Sequence, residues 1–441
     1  MEQAAIRLGL RRRADPVSLA RGAVPLALWA ALIVAAWAWG TALNDSGARI
    51  VLGAPPLFGR WDLQLEPSIL PAIGVAALVV WAAPTLIARL SWPRLLGAVA
   101  FGAIVWAVAL AASEGMAGIT GPLEGPSDYL RAVPLVGSPG EFLSTFTERI
   151  DEYPTHVRSH PPGMALILWS LAQVGLGGST AATVLVLLVA ASAPVAVLIA
   201  ARAVAGESVA RAAAPFLILL PAAVWIATTA DAFFMGVAAW AVTLLILAIR
   251  STGRRSVGLA LGAGLLFGLV GMLSYGLALV GLVATAVALG SRRVAPQAIA
   301  AGAAGAVLLA VWAAGYQWVD GFFAIREQYL GSVSQTRPYD FFLLGNVAAF
   351  ALAVGPAAAL GLARIRGGGL ALLVGGAVVA VALADLSGMS KAEVERIWLP
   401  FVPWVVLATA ALPRAAGIVR PLLAAQAALA IAIEVGVEMI W

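Results

Sequence analysis

The sequence predicts an all-α fold, a polytopic bundle of transmembrane helices. Of its 441 residues, 62% are hydrophobic and only 11% are charged, and the mean hydropathy is +0.97. A soluble domain carries about a quarter charged residues. Apolar runs of about 20 residues, long enough to cross the hydrocarbon core of a bilayer, recur along the whole chain. These observations place the chain in a membrane.

Thirteen apolar segments are predicted to cross the membrane as helices. They are residues 24–42, 69–88, 95–112, 180–203, 211–228, 232–249, 256–274, 276–291, 295–315, 340–362, 367–385, 398–412 and 418–438. On this basis the chain divides into 1–112, a basic N-terminus with three helices, and 113–441, an outer loop over 113–179 followed by about ten helices. The N-terminus lacks a small-residue cleavage site, which predicts a retained first helix and not a signal peptide.

The basic residues predict how the bundle is oriented in a bacterial plasma membrane. Lys and Arg collect in cytoplasmic loops, and with the N-terminus inside, 18 of the 27 basic residues fall on the inner side. Segment 163–177 is apolar but short, and if it crossed, the later arginine pairs would lie outside. We therefore expect an interfacial or re-entrant helix there, with polar loops 43–68, 316–339 and 386–397 on the outer face. The net charge of +5 reflects these topology signals, so we expect no nucleic-acid partner.

The 113–179 loop holds the greatest concentration of titratable side chains. Both histidines of the chain, His156 and His160, lie in it, together with six acidic residues between Glu124 and Glu152. The chain has no cysteine, which excludes disulfides, thiol nucleophiles and cysteine-bound metals. We therefore expect the chemistry of this protein on the outer face of the membrane.

Asp128 and His160 form the first candidate pair. His160 precedes a predicted helix N-terminus, where the helix dipole disfavours imidazolium, so a neutral imidazole is expected. A carboxylate and a neutral imidazole can together deprotonate a hydroxyl or hold a cation. In the structural alternative, which stays open, Asp128 caps a helix and His160 bonds to backbone groups.

Two further candidates lie where outer segments enter predicted spans. Asp231 begins one helix, and an acidic group at membrane depth is more often functional than not; a capped helix start explains it equally well. Arg396 stands at headgroup depth at the mouth of another helix, where arginine is a natural partner for phosphate. The alternative is an ion pair with a neighbouring glutamate that anchors the helix beside a tryptophan.

Four of these motifs occur in a fixed order along residues 113–410. They are Ser127-Asp128-Tyr129-Leu130, His160-Pro161-Pro162-Gly163, Asp231-Ala232-Phe233-Phe234 and Glu395-Arg396-Ile397-Trp398-Leu399-Pro400. The order resembles the GT-C superfamily of membrane glycosyltransferases, near the protein O-mannosyltransferases and the lipid A aminoarabinose transferases. The chain departs from that pattern in its two extra N-terminal helices, in Tyr129 in place of a second acid, in Gly163 in place of leucine, and in lacking a large C-terminal outer domain.

The resemblance implies transfer of a sugar, such as mannose or arabinose, from a polyprenyl-phosphate donor to a cell-envelope acceptor, with inversion. It implies Asp128 as the general base, with His160 and Asp231 as further catalytic residues. The residues expected to contact donor or acceptor are Glu124, Tyr129, His156, Arg158, Arg326, Arg337, Glu395 and Arg396. A divalent cation, Mg²⁺ or Mn²⁺, would assist but is not obligatory, because phosphate is already a good leaving group.

Two other functions fit the composition. A transporter or flippase of a lipid-linked substrate would show charged residues in mid-span, inverted repeats and broken helices. The acidic residues of this chain cluster instead on one face, which favours chemistry at the outer leaflet. A non-catalytic scaffold for cell-wall biogenesis would show no pocket that joins the outer loops.

Overall fold

The computed structural model describes residues 16–439, and their side chains from residue 23 onward. The structure is 79% helical. Its α-helices are α1 (Pro16–Asp45), α2 (Leu70–Arg89), α3 (Trp92–Ala111), α4 (Gly115–Thr120), α5 (Pro139–Thr145), α6 (Thr155–Arg158), α7 (Gly163–Gln173), α8 (Ser179–Ala205), α9 (Glu207–Ile218), α10 (Ala230–Arg250), α11 (Gly253–Leu273), α12 (Gly281–Ser291), α13 (Ala295–Ala313), α14 (Trp318–Gly331), α15 (Tyr339–Val354), α16 (Pro356–Leu362), α17 (Gly368–Leu386), α18 (Val394–Ile397), α19 (Val402–Val406) and α20 (Ala416–Gly436). The arginines of residues 7–13 lie outside the described residues.

Short 3₁₀ helices and one small sheet complete the described chain. The 3₁₀ helices are Pro67–Ile69, Ala112–Glu114, Pro122–Glu124, Tyr129–Leu135, Ile150–Glu152, Pro221–Trp225, Gly276–Val280, Val333–Gln335, Leu399–Phe401 and Leu407–Ala411. Strands β1 (Gly59–Trp61) and β2 (Val437–Met439) pair antiparallel, with Gly59 opposite Met439. This pairing brings the first outer loop against the end of α20.

Nine of the described helices are long and apolar enough to cross a membrane. They are α1, α2, α3, α8, α10, α11, α13, α17 and α20, and the bent pair α15–α16 would make a tenth. The prediction of an all-α, polytopic membrane bundle is therefore confirmed. The count of thirteen spans stays a prediction, because α12 and the segment 399–411 are short.

The predicted continuous helices over 211–228, 340–362 and 398–412 are wrong. Helix α9 ends at Ile218, and Pro221 opens a 3₁₀ turn in its place. Segment 399–411 alternates between 3₁₀ and α geometry. Proline lacks an N–H and clashes with the preceding turn, so it ends or distorts a helix that hydropathy alone would continue.

The break between α15 and α16 is the sharpest of these. The two helices meet at 102°, and Gly355 at the bend has φ +80°, which suits glycine. Bending frees backbone groups that a membrane interior leaves without water. The side chain of Gln426 forms hydrogen bonds with two of these groups. Its Oε1 accepts from Ala357 N at 3.3 Å, and its Nε2 donates to Val354 O at 3.1 Å.

Helix α7 occupies the segment predicted to be interfacial. Its 11 residues measure about 16 Å, roughly half the hydrocarbon thickness of a bilayer. At its first residue, a Cβ on Gly163 would stand 2.4 Å from the carbonyl oxygen of Met272. The backbone of α7 therefore lies directly on α11, and glycine at this position has a packing reason.

Helix α10 is the most deeply buried candidate span and packs against α8 and α11. The segments predicted to be outer loops, with β1 and β2, meet at one end of the bundle. The other end gathers arginines: Arg211 donates to the carbonyls of Ile87 (2.7 Å) and Leu90 (3.0 Å), and Arg202 pairs with Glu207 at 2.9 Å. This segregation of charge matches the pattern from which the orientation is predicted.

Cysteine labelling tests that orientation without background, since the chain has no cysteine of its own. Ser138→Cys and Gly178→Cys should both react with an impermeant reagent added outside, because 113–179 is predicted to lie wholly outside. Thr252→Cys, in the exposed turn before α11, should stay protected until the membrane is opened. Protection of Gly178→Cys together with labelling of Ser138→Cys would show that α7 crosses.

Candidate functional site

The site begins at Asp128, which caps the 3₁₀ helix Tyr129–Leu135. Its Oδ1 accepts from the backbone N–H of Tyr129 at 2.6 Å. Its Oδ2 lies 3.0 Å from Nδ1 of His156. Asp128 is 7% exposed. It caps a helix, as in the structural alternative, and it also bonds an imidazole, which is that of His156 and not the predicted His160.

His156 is fixed beside Asp128 by the backbone as well. Its N–H donates to the carbonyl oxygen of Ser127 at 2.9 Å, which ties α6 to the chain just before the cap. Its own carbonyl accepts from Nδ1 of His160 at 2.8 Å, with that nitrogen protonated. The far nitrogen of His156, Nε2, lies 3.5 Å from Nη2 of Arg396. The imidazole therefore bridges the loop carboxylate and the arginine.

Arg396 lies in α18 and joins the loop to the membrane helices. Its Nη1 bonds Oδ2 of Asp231 at 2.5 Å, and its Nη2 bonds Oε2 of Glu393. Asp231 lies in the first turn of α10, where the positive end of the helix dipole favours a carboxylate. Asp231 and Arg396 are only 3% and 5% exposed. Burial lowers the pKa of Arg396, but the two carboxylates outweigh it, and the pKa is raised.

Glu393 completes the cluster and was not among the predicted site residues. It stands one helical turn before Arg396, a spacing that brings side chains together and that could have identified it. Ala392 and Glu393 have φ of +75° and +60°, strained for residues with a Cβ. The loop is held in that shape by Asn346, whose Nδ2 donates to Asp385 Oδ1 (2.9 Å) and to Ser390 O (2.8 Å).

Tyr129 and His160 line the cluster. The ring of Tyr129 lies 6.4 Å from that of His156 and 6.2 Å from that of His160, and Phe234 flanks both residues. Burial raises the pKa of the Tyr129 phenol and lowers that of His160. The shift of the His160 pKa is in the predicted direction, but burial and not a helix dipole is its main cause. The buried Tyr129 hydroxyl has no hydrogen-bond partner within the described residues.

Glu395 and Arg337 stand beside the cluster but turn to the first outer loop. Glu395 Oε1 accepts from the N–H of Phe58 at 2.7 Å. Arg337 donates to the carbonyls of Ile50 (3.0 Å) and Lys391 (2.6 Å), and its guanidinium lies over the ring of Phe58. These two residues attach loop 46–66 to the strained loop, so the extra N-terminal helices support the site.

Three predicted substrate-binding residues lie outside the cluster. Glu124 and Arg326 are exposed, and Arg158 is half-buried on α6. Over residues 23–439, the side chains of these three make no hydrogen bond or ion pair. A separate acidic cleft at the same end includes Asp62, Glu66, Glu114, Glu434 and Glu438.

The charge of the cluster limits what it can bind. Three carboxylates, those of Asp128, Asp231 and Glu393, surround one guanidinium, so with neutral imidazoles the cluster is net negative. Within the described part of the chain, no three His, Asp or Glu side chains are arranged to hold a metal ion. The donor set thus does not fit a metal held by protein ligands alone, and we assign no step to one.

Comparison with known proteins adds no relative: no protein-family model, curated protein or solved structure matches the chain.

The buried carboxyl of Glu395 predicts a pH dependence of stability. Burial raises its pKa from 4.5 to about 7, although the hydrogen bond from the N–H of Phe58 lowers it. Glu393 also raises this pKa, and Arg396 lowers it. The pKa of Glu395 is higher in the folded protein than in the unfolded one. Its contribution to the free energy of unfolding is therefore fully present below about pH 4.5 and is lost as the pH rises to about 7. Glu395→Gln, which mimics the protonated form, should gain melting temperature relative to wild type between pH 5 and 7.5.

Wild type and Glu395→Gln both retain His160 and Glu393. The difference in melting temperature between the two proteins at each pH therefore excludes the contributions of those residues. A difference in melting temperature that is constant with pH would show that Glu395 is ionised throughout.

Proposed function

We propose that this chain is a GT-C-type membrane glycosyltransferase. It would transfer a sugar from a polyprenyl-phosphate donor to a hydroxyl of a cell-envelope acceptor, glycan, lipid or protein, on the outer face of the plasma membrane. One observation carries the proposal: Asp128, His156, Asp231 and Arg396, which come from three distant segments, form one contiguous cluster at the polar end of the bundle.

The cluster supplies the two functions that direct displacement at a sugar carbon needs. The Asp128–His156 pair can take a proton from the acceptor hydroxyl. Arg396 can bind and stabilise the departing phosphate through a charge-assisted hydrogen bond from Nη2. Attack from the face opposite the leaving phosphate inverts the configuration at the sugar carbon.

Phosphate binding requires an exchange of partners at Arg396, because both of its terminal nitrogens already bond carboxylates. Asp231 is the fixed partner, since its side chain is 4% exposed on the most buried helix. Glu393 is the partner that a ligand could replace, since its side chain is 24% exposed. The donor phosphate therefore replaces Glu393 at Nη2.

The membrane region beside the cluster suits the donor's lipid. An apolar cleft lies between α3, α8 and α9 and the turn that leads to Asp231. Its lining includes Ile104, Leu187, Pro194, Ile218 and Ile226. Ile226 lies shortly before Asp231 in the chain, so one wall of the cleft belongs to the segment that leads to the cluster.

Purified protein in liposomes with radiolabelled polyprenyl-phosphate mannose or arabinose tests the proposal. With envelope extract as the acceptor source, wild type should consume a donor and label an acceptor, and Asp128→Asn should not. Movement of intact donor between leaflets without consumption would identify a flippase instead. The absence of both donor consumption and donor movement would favour a scaffold.

A further inference from the structure

The hydrogen bonds around Asp128 indicate which atom removes the acceptor proton. This inference rests on the proposed function. Both oxygens of Asp128 are engaged, one by the N–H of Tyr129 and the other by Nδ1 of His156. An ionised carboxylate only accepts hydrogen bonds, so Nδ1 of His156 must carry the hydrogen. The neutral imidazole then has its lone pair on Nε2.

The position of Nε2 suits a proton acceptor. It points away from Asp128 toward Nη2 of Arg396, from which it accepts a long hydrogen bond of 3.5 Å. Because this bond is long and therefore weak, an acceptor hydroxyl can replace it at the lone pair. Because Nη2 is also where the donor phosphate would replace Glu393, a hydroxyl that bonds Nε2 lies beside the sugar carbon that carries that phosphate.

We propose that Nε2 of His156 is the base of the transfer reaction and that Asp128 is a positioning residue. The acceptor O–H proton passes to Nε2, and the acceptor oxygen forms its bond to the sugar carbon. The bond from that carbon to the phosphate oxygen breaks, and polyprenyl phosphate leaves with the electron pair. Asp128 holds the reactive tautomer and stabilises the imidazolium that forms.

The surroundings of His156 make this arrangement specific to one histidine. The charged and titratable groups that face it are Asp128, Tyr129, His160, Glu393 and Arg396. His160 has its Nδ1 bonded to a backbone carbonyl and its ring against Phe234. No carboxylate bonds the His160 ring within the described residues, so it lacks the support that would stabilise its charged form.

Nitrogen NMR of histidine-labelled protein in nanodiscs tests the tautomer, because the chain has only two histidines. His160→Asn assigns the signals. We expect His156 to show a protonated Nδ1 and an unprotonated Nε2, and the reverse tautomer in Asp128→Asn. Wild type with the hydrogen on Nε2 would overturn the assignment, whatever the outcome of the transfer assay.

Chemical rescue in the transfer assay tests the role. His156→Gly should lose transfer by about 10²–10⁴-fold and should regain part of it with added imidazole, which fits the vacated space. His156→Gln, which keeps the volume, should stay inactive with a normal melting temperature. Transfer by His156→Gln above a tenth of wild type overturns this role alone. A wild type that transfers no sugar overturns the proposed function and this role together.

Discussion

Asp128→Asn is expected to lower sugar transfer by about 10²–10⁴-fold, the usual contribution of general acid–base catalysis, with little change in melting temperature. Asparagine also caps helices well, so its side-chain oxygen can keep the bond from the N–H of Tyr129. Its amide nitrogen, however, would face the protonated Nδ1 of His156, and two donors cannot bond each other. The imidazole must then move its hydrogen to Nε2, where it can no longer accept a proton.

The measurement is turnover of a polyprenyl-phosphate sugar by purified protein, with the melting temperature taken on the same samples. Glu148→Gln is the matched control, because this exposed carboxylate lies in the same loop and outside the cluster. It should leave both quantities near wild type. Turnover of Asp128→Asn above about a tenth of wild type would remove Asp128 from the reaction.

Much of the bundle follows from composition, because a chain this apolar can satisfy its backbone in a membrane only as helices. The breaks between helices follow less directly. Gly355-Pro356 is a turn signal in the sequence, but a run of apolar residues on both sides favours one long helix. The bend depends on Gln426, about 70 residues later, whose side chain satisfies the freed backbone groups. Such a distant partner has no local sequence signature.

Most residues of the cluster are among the predicted site residues, but their pairings differ from the predicted ones. Motif order placed Asp128, Asp231 and Arg396 at one end of the bundle, and the structure brings their segments into one cluster. The position of His160 before a predicted helix N-terminus pointed to it as the partner of Asp128. The actual partner is His156, because its backbone N–H bonds Ser127 and draws it to the cap.

The sequence left two possible glutamate partners for Arg396. Glu393 and Glu395 are both close to it along the chain. The left-handed backbone at Ala392 and Glu393 turns the first carboxylate to the guanidinium, while the second is taken by the N–H of Phe58. Backbone strain of this kind arises from packing of the loop on Asn346 and Arg337, which local propensity does not encode.

Arg396→Ala is expected to cause the largest loss of stability of any single change in the cluster. It leaves Asp231 buried without its arginine, and breaking a buried ion pair costs about 3–5 kcal/mol. Arg396→Lys keeps the charge but loses the planar fork, whose two terminal nitrogens hold Asp231 and the phosphate at the same time. The lysine variant should therefore fold, with a donor KM raised at least about tenfold, equivalent to about 1.4 kcal/mol of lost phosphate binding.

Glu393→Gln separates a phosphate-binding arginine from a purely structural one. If phosphate replaces Glu393 at Nη2, removing that carboxylate's charge eliminates a competitor, so the donor KM of Glu393→Gln should fall or stay level while that of Arg396→Lys rises. If Arg396 only anchors α18, both variants should lose melting temperature and neither should change donor KM. The donor KM and the melting temperature of Arg396→Lys and Glu393→Gln thus distinguish the two roles. An unaltered donor KM in Arg396→Lys would refute the phosphate contact, because the ion pair with Asp231 can survive that change and the fork cannot.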